Sequence, residues 1–489
     1  MPPTRSRSRE RVREDASINE VPLIVQDRTR VTHDLLSCLG DQSLIRPLLT
    51  RWGGKIDEGA YGKVYAYGLV ACADGRVPLD TLMIQKAVVL KHPRLEHNDR
   101  EYVEKHLPQF LREVSQTDVE ARLFYETGRL AYHRKSPHFL NFYRVEKHVE
   151  RYPQGGVFHA TYYMERAEKD FERVFRRKFN EVNDAFAAEH LQWLDRLLAG
   201  QMEDHAHRTW KELKAKNRQR SNQIQQEISQ LWNRPLADID HALIKRKKQE
   251  RSRIDQFNTF IYYLGHDDQE TMREFVSHIK PEWLTKKRNE LHAKIGAFEA
   301  AMIFFRTEAI SLVCQALVAL FTLWATTGYV HDDAHGGNIL FLPTLAQGFA
   351  HRFNDFTLYS RTHGRQLCLI DFGHSALATT DAKEASFRGD IHRMFYFLEL
   401  DSQYTYTPLP EWETFCQRIQ QGIIDNETLQ TPQDALPLLA DLTRGEQMDV
   451  AVTDIYEPLS PISDTFYTWD RVYPLVARPC TDCMADLVR

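Results

Sequence analysis

The sequence predicts an α+β fold with two lobes, a small β-rich N-terminal lobe and a large helical C-terminal lobe that carries a long helical insertion. A chain of 489 residues is too long for one ordinary hydrophobic core. Segments between positions 55 and 167 are rich in β-branched and aromatic residues and are bounded by Gly, Asp or Pro, which is typical of strands. From about 170 onward, long charge-dense segments poor in Gly and Pro predict amphipathic helices.

The local residue composition also predicts where the segments of the chain begin and end. Residues 1–20, which contain TRSRSRERVRE, predict a disordered Arg/Ser-rich arm, and 21–54 an N-terminal extension. We expect the N-terminal lobe at 55–167. The C-terminal lobe is expected at 168–489, with the insertion at about 172–300 and an extension at about 400–489. Within the insertion, KRKKQERSR (245–253) reads most simply as a solvated helix face, although contact with nucleic acid or an acidic partner is the alternative.

The bulk charge and the cysteine content narrow the expected partners and compartment. A net charge of −5 gives no global reason to expect nucleic acid or a membrane surface, apart from weak contact by the Arg-rich arm. Seven scattered cysteines indicate a reducing compartment rather than a secreted disulfide framework. Cys480 and Cys483 have no second pair or nearby histidines, so they do not predict a zinc site.

One segment could pass for a membrane span. Ala309 to Val330 contains no charged residue and is long enough to cross a bilayer. Several Ser, Thr and Gln residues interrupt it, and the polar run HDDAH follows at once. We therefore expect a buried central helix and no membrane contact.

Two motifs of the N-terminal lobe suggest phosphate binding. IDEGAYGKVY, which begins at Ile56, predicts a strand that turns back through Gly59 and Gly62, so that backbone N–H groups can approach phosphates without an intervening Cβ. Val64 could cover an adenine ring. AVVLK ends at Lys91, and a lysine at the end of a buried strand must find an anion.

Two further motifs in the C-terminal lobe carry polar residues suited to phosphoryl transfer. In HDDAHGGNILF, the Asp333 carboxylate could orient an acceptor hydroxyl and accept its proton, and the Asn338 amide could reach a metal. In LIDFGHS, Asp371 follows a buried strand and precedes a glycine, where its carboxylate could ligate Mg²⁺.

Taken in order, these motifs resemble the signatures of the protein kinase superfamily over about 55–175 and 300–400. His331, Asp333 and Asn338 match the H-x-D-x-x-x-x-N catalytic loop, and Asp371-Phe372-Gly373 matches the metal-binding triplet. The resemblance implies a kinase-like fold that binds ATP and Mg²⁺, with Asp333 as catalytic base.

The same resemblance assigns further roles. Glu120 is expected to pair with Lys91, with Glu113 and Glu126 as rivals on the same predicted helix. The strand TYYMERAEKDF would place Met164 behind the adenine pocket, and backbone groups from Glu165 to Ala167 would bond the adenine. Asp390 would hold the backbone of the catalytic loop.

Four departures from the family pattern affect the functional interpretation. Asp57 stands where the first glycine of the loop is usual, and Asp332 replaces an arginine, so switching by activation-loop phosphorylation is not expected. Only 16 residues separate Gly373 from Asp390, without an A-P-E motif, so the platform for an acceptor peptide is curtailed. His335 resembles the variant of aminoglycoside and choline phosphotransferases and of divergent kinases of large DNA viruses, and it could contact the γ-phosphate.

We therefore expect an active, divergent Ser/Thr protein kinase of the large-DNA-virus type, which acts on an unknown protein substrate in the cytoplasm or nucleus of a host cell or in association with a virion. A small-molecule kinase of the aminoglycoside or choline phosphotransferase type is the alternative, in which the helical insertion would bind the acceptor. A pseudokinase scaffold is a third hypothesis, and the intact set of Lys91, Asp333, Asn338 and Asp371 disfavours it.

Overall fold

The structure is a computed structural model. It describes residues 55–58, 62–71, 77–91, 99–152, 155–165, 167–199, 201, 208–233, 241–264, 270–379, 385–397, 409–463 and 467–469. The Arg/Ser-rich arm, the extension at 21–54, Gly59 and the Cys480/Cys483 pair lie outside these residues. Helices and sheets are both present, as the sequence predicts.

The first part of the chain forms a five-stranded antiparallel sheet in the order β1-β2-β3-β5-β4. Its strands are β1 (Lys55–Glu58), β2 (Gly62–Ala71), β3 (Val77–Lys91), β4 (Phe142–Tyr152) and β5 (Gly155–Glu165). β1 and β2 pair antiparallel with Glu58 opposite Lys63, as expected of the two strands that flank the glycine-containing motif. β3 lies between β2 and β5.

Helix α1 (Asp99–Tyr132) connects β3 to β4 and packs against β3. Its last third has the apolar spacing that predicted a helix, and Ala121, Phe124 and Tyr125 are buried in the main core. The helix starts at Asp99 and runs through Pro108. Its C-terminal half therefore meets both the sheet and the segment around Phe372.

After β5 the chain forms the short strand β6 (Glu168–Asp170) and then a series of helices. These are α2 (Phe171–Val182), α3 (Ala187–Leu198), α4 (Trp210–Trp232), α5 (His241–Tyr263), α6 (Met272–His278) and α7 (Pro281–Thr307). Thr209 and Thr271 cap α4 and α6 with reciprocal capping boxes, in which Glu212 and Glu274 bond back to the capping residues. The predicted helical character of about 172–300 is confirmed for the described residues.

Helix α8 (Ala309–Thr327) runs through the centre of the large core. Among the described residues it is the one helix long and apolar enough to cross a membrane, and 83% of its most apolar window is buried inside the protein. Gly328 ends it with φ 74°, a left-handed conformation that glycine adopts without a Cβ penalty. The predicted burial of this segment is confirmed.

The second half contains more strand than the sequence indicated. Two short strands adjoin the C-terminal motifs, β8 (Ile339–Pro343) and β11 (Arg365–Leu369), and the second is the strand expected before Asp371. The hairpin of β9 (Gly348–Phe353) and β10 (Phe356–Arg361) was missed, although Asn354, with φ 51°, forms its turn with Asp355. A distant strand, β13 (Thr453–Tyr456), adds in parallel to β9, and no local pattern announces that pairing.

The remaining described elements close the core around α8. They are β7 (Tyr329–Val330), β12 (Ala376–Leu377), α9 (Phe387–Phe397), α10 (Pro410–Ile419) and α11 (Pro432–Thr443). Near the end of the chain, Tyr467 is buried, stacks on Tyr125 and Tyr132 of α1, and donates a hydrogen bond to the carbonyl of Phe142. The late segment is therefore tied to α1 and β4.

Candidate active site

Two paired strands bring the C-terminal motifs together. β8 begins directly after Asn338, and β11 ends two residues before Asp371. The strands are antiparallel, with Leu369 opposite Ile339, so the loop before β8 and the loop after β11 leave the same end of the sheet. The N–H of Ile370 donates to the carbonyl of Asn338 over 3.0 Å, which fixes the two loops side by side.

Asp390, on α9, anchors the loop that starts at His331. Its carboxylate accepts the N–H of His331 at 2.7 Å and the N–H of Asp332 at 2.8 Å. Burial raises the pKa of Asp390 to about 7, while the two backbone donors and nearby Arg393 act in the opposite direction. The predicted role of Asp390 in holding the loop is supported by these bonds.

Asp332 replaces the arginine of the family pattern and forms an ion pair on α9. Arg393 lies 2.6 Å from its carboxylate and 3.6 Å from that of Asp390. Asp332 has φ 56°, an uncommon conformation for a residue with a side chain. The cation next to this loop is therefore Arg393 of α9, and the carboxylates of Asp332 and Asp390 already pair with it.

Asp333 lies at the open side of the loop, with its side chain 36% exposed. Asn338 holds it in place, because its Nδ2 donates to the Asp333 carbonyl at 2.9 Å and to Oδ2 at 3.3 Å. Both bonds use the amide nitrogen, so neither uses the amide oxygen that could ligate a metal. One residue thus positions the candidate base and presents an oxygen next to it.

His335 lies between two carboxylates. Its Nε2 is 3.7 Å from Asp333 Oδ2, and its Nδ1 is 3.9 Å from Glu172 Oε2 on α2. The N–H of Gly337 donates to Nδ1 at 3.1 Å, so Nδ1 acts as an acceptor. In the neutral ring the proton is then on Nε2, on the side that faces Asp333.

Gly336 lets the loop lie directly against α2. A Cβ at this position would lie 2.6 Å from the Cβ of Glu172 and 2.9 Å from its backbone N and Cα. These distances are shorter than real Cβ atoms tolerate, and the backbone of a helix cannot move aside cheaply. The glycine is therefore required by the close approach of the loop to the first turn of α2.

Asp371 starts a short 3₁₀ turn, Phe372–His374, with φ 61° and ψ 67°. Phe372 is buried and packs edge-on against Phe124 of α1, at 5.0 Å between ring centroids. On its other side the ring lies 5.5 Å from His331. The segment that begins at Asp371 is thus held between α1 and the loop that contains His331.

Glu120 is a buried carboxylate of α1, with 1% of its surface exposed. The hydroxyl of Tyr162 donates to the carbonyl of Thr117 at 3.3 Å, and burial together with the nearby Glu120 carboxylate raises the pKa of the tyrosine well above its usual value. The rival Glu126 is 29% exposed and forms ion pairs with Arg122 and Arg129. Burial therefore favours Glu120 over Glu126 as the partner of a lysine on the sheet.

The predicted adenine-binding segment lies at the end of β5. Met164 is fully buried, and its neighbour Glu165 accepts hydrogen bonds from the N–H and Nδ2 of Asn141 at 3.1 and 3.2 Å. The N–H of Glu165 donates to the Asn141 carbonyl at 2.9 Å. Ala167 is buried, and β6 follows with Glu168 opposite Phe341 of β8. The segment thus connects the five-stranded sheet to the sheet that carries the catalytic loop.

The other predicted nucleotide contacts lie on the five-stranded sheet. Ile56 is in β1, and Gly62 and Val64 are in β2, with Val64 opposite Ile84 of β3. Lys91 is the last residue of β3 and pairs with Gly155 of β5. Their backbone positions follow the predicted order, and the roles of their side chains stay predictions.

The donor set at the loop suits a hard cation. Among the described residues no cluster of three or more His, Cys, Asp or Glu could hold a metal alone. Mg²⁺ bound with substrate phosphates needs only one or two protein oxygens, because phosphates and waters supply the rest. Asn338 and Asp371 provide such oxygens from adjacent loops.

Sequence reasoning missed two residues that contact the loop. Glu172 is seven residues beyond Glu165 in the chain, yet it packs on Gly336 and faces His335. Arg393 lies beyond the motifs and pairs with Asp332. The second could have been found from helical spacing, since Arg393 follows Asp390 by three residues on α9.

Comparisons with known proteins add little. No family model matches this chain, and no curated protein matches it. Among solved structures the chain is similar to "ROP18 kinase domain in complex with AMP-PNP and sucrose", with 11% identity and a TM-score of 0.28 over 89% of this chain and 79% of that one. At that TM-score the likeness carries no argument about fold or function.

Proposed function

We propose that this chain is an ATP- and Mg²⁺-dependent phosphotransferase that transfers the γ-phosphate to a protein hydroxyl as a divergent Ser/Thr protein kinase. One observation carries the proposal. The partly exposed Asp333 carboxylate, the Asn338 amide and the Asp371 carboxylate leave the same end of the β8–β11 pair, and buried hydrogen bonds hold that arrangement.

Each group has a chemical task in this proposal. Asp333 orients the acceptor hydroxyl and accepts its proton, and Asn338 keeps the carboxylate in place. Asn338 and Asp371 would hold Mg²⁺, which neutralises phosphate charge when bound. Nε2 of His335 lies 3.7 Å from Oδ2 of Asp333, and its N–H could donate to a phosphate oxygen bound there.

The nucleotide would be held by the sheet. Lys91 ends β3, α1 packs on that strand, and the buried Glu120 of α1 needs a cation to offset the cost of burying its charge. We assign that cation to Lys91. The backbone from Glu165 to Ala167 would bond the adenine, with Met164 behind it.

A small-molecule kinase is the second candidate, and an open depression beside the loop favours it. It has a volume of about 500 Å³ and lies along α2 and the turn that follows, between Glu172 and Asp184. Its lining carries both acidic and basic side chains, with Arg176 paired to Glu172 and Arg177 paired to Glu181. An acceptor with both amino and acidic groups would suit such a lining.

The compartment is also a proposal. We place the protein in the cytoplasm or nucleus of a host cell. Among the described residues, Cys314, Cys368 and Cys416 are buried and form no disulfide, which fits a reducing environment.

Transfer of labelled γ-phosphate from Mg-ATP tests the activity. Wild type, Asp333→Asn and Asp355→Asn would each be offered a protein mixture, a panel of amino-alcohols and sugars, or no acceptor. Asp355 is an exposed residue of the β9–β10 turn, so its variant makes the same chemical change away from the loop. We expect label on protein with wild type and Asp355→Asn, and a loss of at least about a hundredfold with Asp333→Asn.

Label on a small molecule alone would replace the protein-kinase assignment by the second candidate. Equal transfer by wild type and Asp333→Asn would contradict the proposed base.

A further inference from the structure

Helices α4 and α5 form an antiparallel hairpin whose charge differs from that of the rest of the chain. Together they carry eleven Lys and Arg against four Asp and Glu, a net charge of +7 in a chain whose total is −5. Their apolar residues Ile224, Ile228, Leu231 and Ile244 are buried as a small core of their own. The cations are therefore left on the outside of the hairpin.

The polar and aromatic residues of α4 and α5 are not spread evenly around the two helices. On α4 one set recurs at intervals of three, four, seven and seven, and on α5 a second set recurs at three, four and seven, so each set lies along one side of its helix. We name the surface that they form together the stripe face. It consists of Lys211, Lys214, Arg218, Gln225 and Trp232 on α4 with Lys248, Arg251, Asp255 and Tyr262 on α5.

Contacts between the helices show that both sets belong to one surface. Lys214 Nζ lies 5.7 Å from the ring centre of Tyr262, and Lys248 Nζ lies 5.8 Å from that of Trp232. Arg251 donates to the side-chain oxygen of Gln225 between these two pairs. Towards each end of the stripe face a cation thus lies beside an aromatic ring. The two α4 residues of these pairs, Lys214 and Trp232, are about 27 Å apart by helical rise.

Both rings are accessible. Trp232 is 45% exposed and Tyr262 is 71% exposed, which is high for large aromatic side chains. Lys211 and Arg218 are exposed as well. A flat ring beside a cation offers a surface for stacking and a charge for an anion at the same place.

The acidic residues mostly lie elsewhere. Glu227 contacts Lys247 at 2.5 Å, and Glu250 contacts Arg220 at 2.6 Å, on the other side of the hairpin. Asp255 is the one carboxylate of the stripe face; Ser221 donates to it at 2.9 Å, and Arg251 of the same face lies 3.5 Å from it. The stripe face therefore carries five cations and one anion.

We infer that the stripe face binds single-stranded nucleic acid. Phosphates would contact its cations, and bases would stack on the two exposed rings, since every base has a π face and every linkage carries a negative charge. An anionic membrane is disfavoured because the two rings lie at opposite ends of the face with polar and charged residues between them, so the face offers no continuous apolar surface to insert. An acidic peptide would use the cations but would leave both rings without a planar partner.

The near-neutral charge of the whole chain hides this surface, because the acidic residues outside the hairpin offset its cations. Nucleic-acid binding here does not depend on phosphate transfer, since the stripe face shares no residue with the catalytic loop. The two proposals can therefore fail separately.

Fluorescence anisotropy with a labelled oligouridylate, measured on the full chain without ATP over a series of salt concentrations, tests the inference. Phosphate contacts by the four stripe-face cations other than Arg251, which is paired with Asp255, predict a slope of about −2.8 for log K against log salt on a single strand. Lys211→Glu/Arg218→Glu should weaken binding by at least about tenfold and reduce the slope to about −1.4. Trp232→Ala and Tyr262→Ala should each weaken binding by about tenfold with an unchanged slope.

Lys216→Glu/Arg246→Glu is the matched control. It makes the same change of charge at two exposed positions, each two residues from a stripe-face cation and therefore on the other side of its helix. Thermal melting would verify that all variants are folded.

The inference is supported if the control binds within about twofold of wild type. It is overturned if the control loses as much affinity as the stripe-face variant, if the ring variants bind normally, or if polyglutamate, duplex DNA or phosphatidylserine vesicles compete as well as the oligouridylate.

Discussion

The loop from His331 to Asn338 and the α4–α5 hairpin are both held by charged side chains, which are buried at the loop and exposed on the hairpin. In the loop, the Asp390 carboxylate is 1% exposed and accepts two backbone N–H groups. In the hairpin, the ion pair of Arg220 and Glu250 has both side chains more than 40% exposed. A buried donor that loses its acceptor costs about 1–3 kcal/mol, whereas an exposed ion pair contributes about 0–1 kcal/mol. Burial, rather than the number of contacts, decides how firmly each region is held.

The largest expected effect is that of Asp390→Ala. The substitution leaves the N–H groups of His331 and Asp332 buried without their acceptor, so the free energy of unfolding should fall by about 3–5 kcal/mol. Urea unfolding measures this change. A loss below about 1 kcal/mol would show that the loop does not depend on its buried anchor.

The pH dependence of stability follows from the same carboxyl. The pKa of Asp390 is raised from 3.8 to about 7, so the folded chain binds the proton more tightly than the unfolded chain. Stability relative to Asp390→Asn should therefore fall as pH rises from about 4 to about 7, by up to about 4 kcal/mol, and stay level above pH 7. Denaturant unfolding of both proteins across this range checks the sign. A difference that grows with pH would mean that the backbone donors and Arg393 outweigh burial.

Gly336→Ala should have the next largest effect. Its new Cβ would lie 2.6 Å from the Cβ of Glu172, so the variant should lose about 1–3 kcal/mol of stability and most of its phosphate transfer. Gly296→Ala is the matched control, because nothing lies within 4 Å of the new Cβ and the site is inside α7. That control should gain about 0.5–1 kcal/mol. Equal behaviour of the two variants would contradict the close approach of loop and helix.

Arg220→Ala should have the smallest effect. It removes an exposed pair with Glu250, so the free energy of unfolding should stay close to that of wild type and phosphate transfer should not change. Chemical unfolding and the transfer assay measure both. A loss comparable to that of Asp390→Ala would remove the distinction between the two regions.

Sequence reasoning succeeded where the signal is local. The absence of charged residues from α8 indicated its burial, and the β-branched and aromatic residues of β2, β3 and β5 indicated strands. It failed where the contact is distant in the chain. β13 pairs with β9 across about a hundred residues, and Glu172 meets Gly336 only because the fold places α2 on the loop. Such contacts depend on tertiary packing, which hydrophobic periodicity does not specify.

The candidate site divides in the same way. Asp333, Asn338 and Asp371 belong to short motifs, so their residue types and the resemblance of those motifs to kinase signatures selected them as candidates. The choice of Glu120 over Glu126 is supported only by burial, since both lie on α1 and differ in which side of the helix faces the core.

Calorimetric titration with ATP, in the presence and absence of Mg²⁺, tests the central claim most directly when wild type is compared with Asp333→Asn and Asp371→Asn. If Asp333 serves the chemistry and Asp371 holds the metal, Asp333→Asn should bind Mg-ATP like wild type. Asp371→Asn should then lose the part of the affinity that depends on Mg²⁺. Wild type that binds no Mg-ATP, or an Asp371→Asn variant with full Mg²⁺-dependent affinity, would contradict the assignment of this loop pair as a phosphotransfer site.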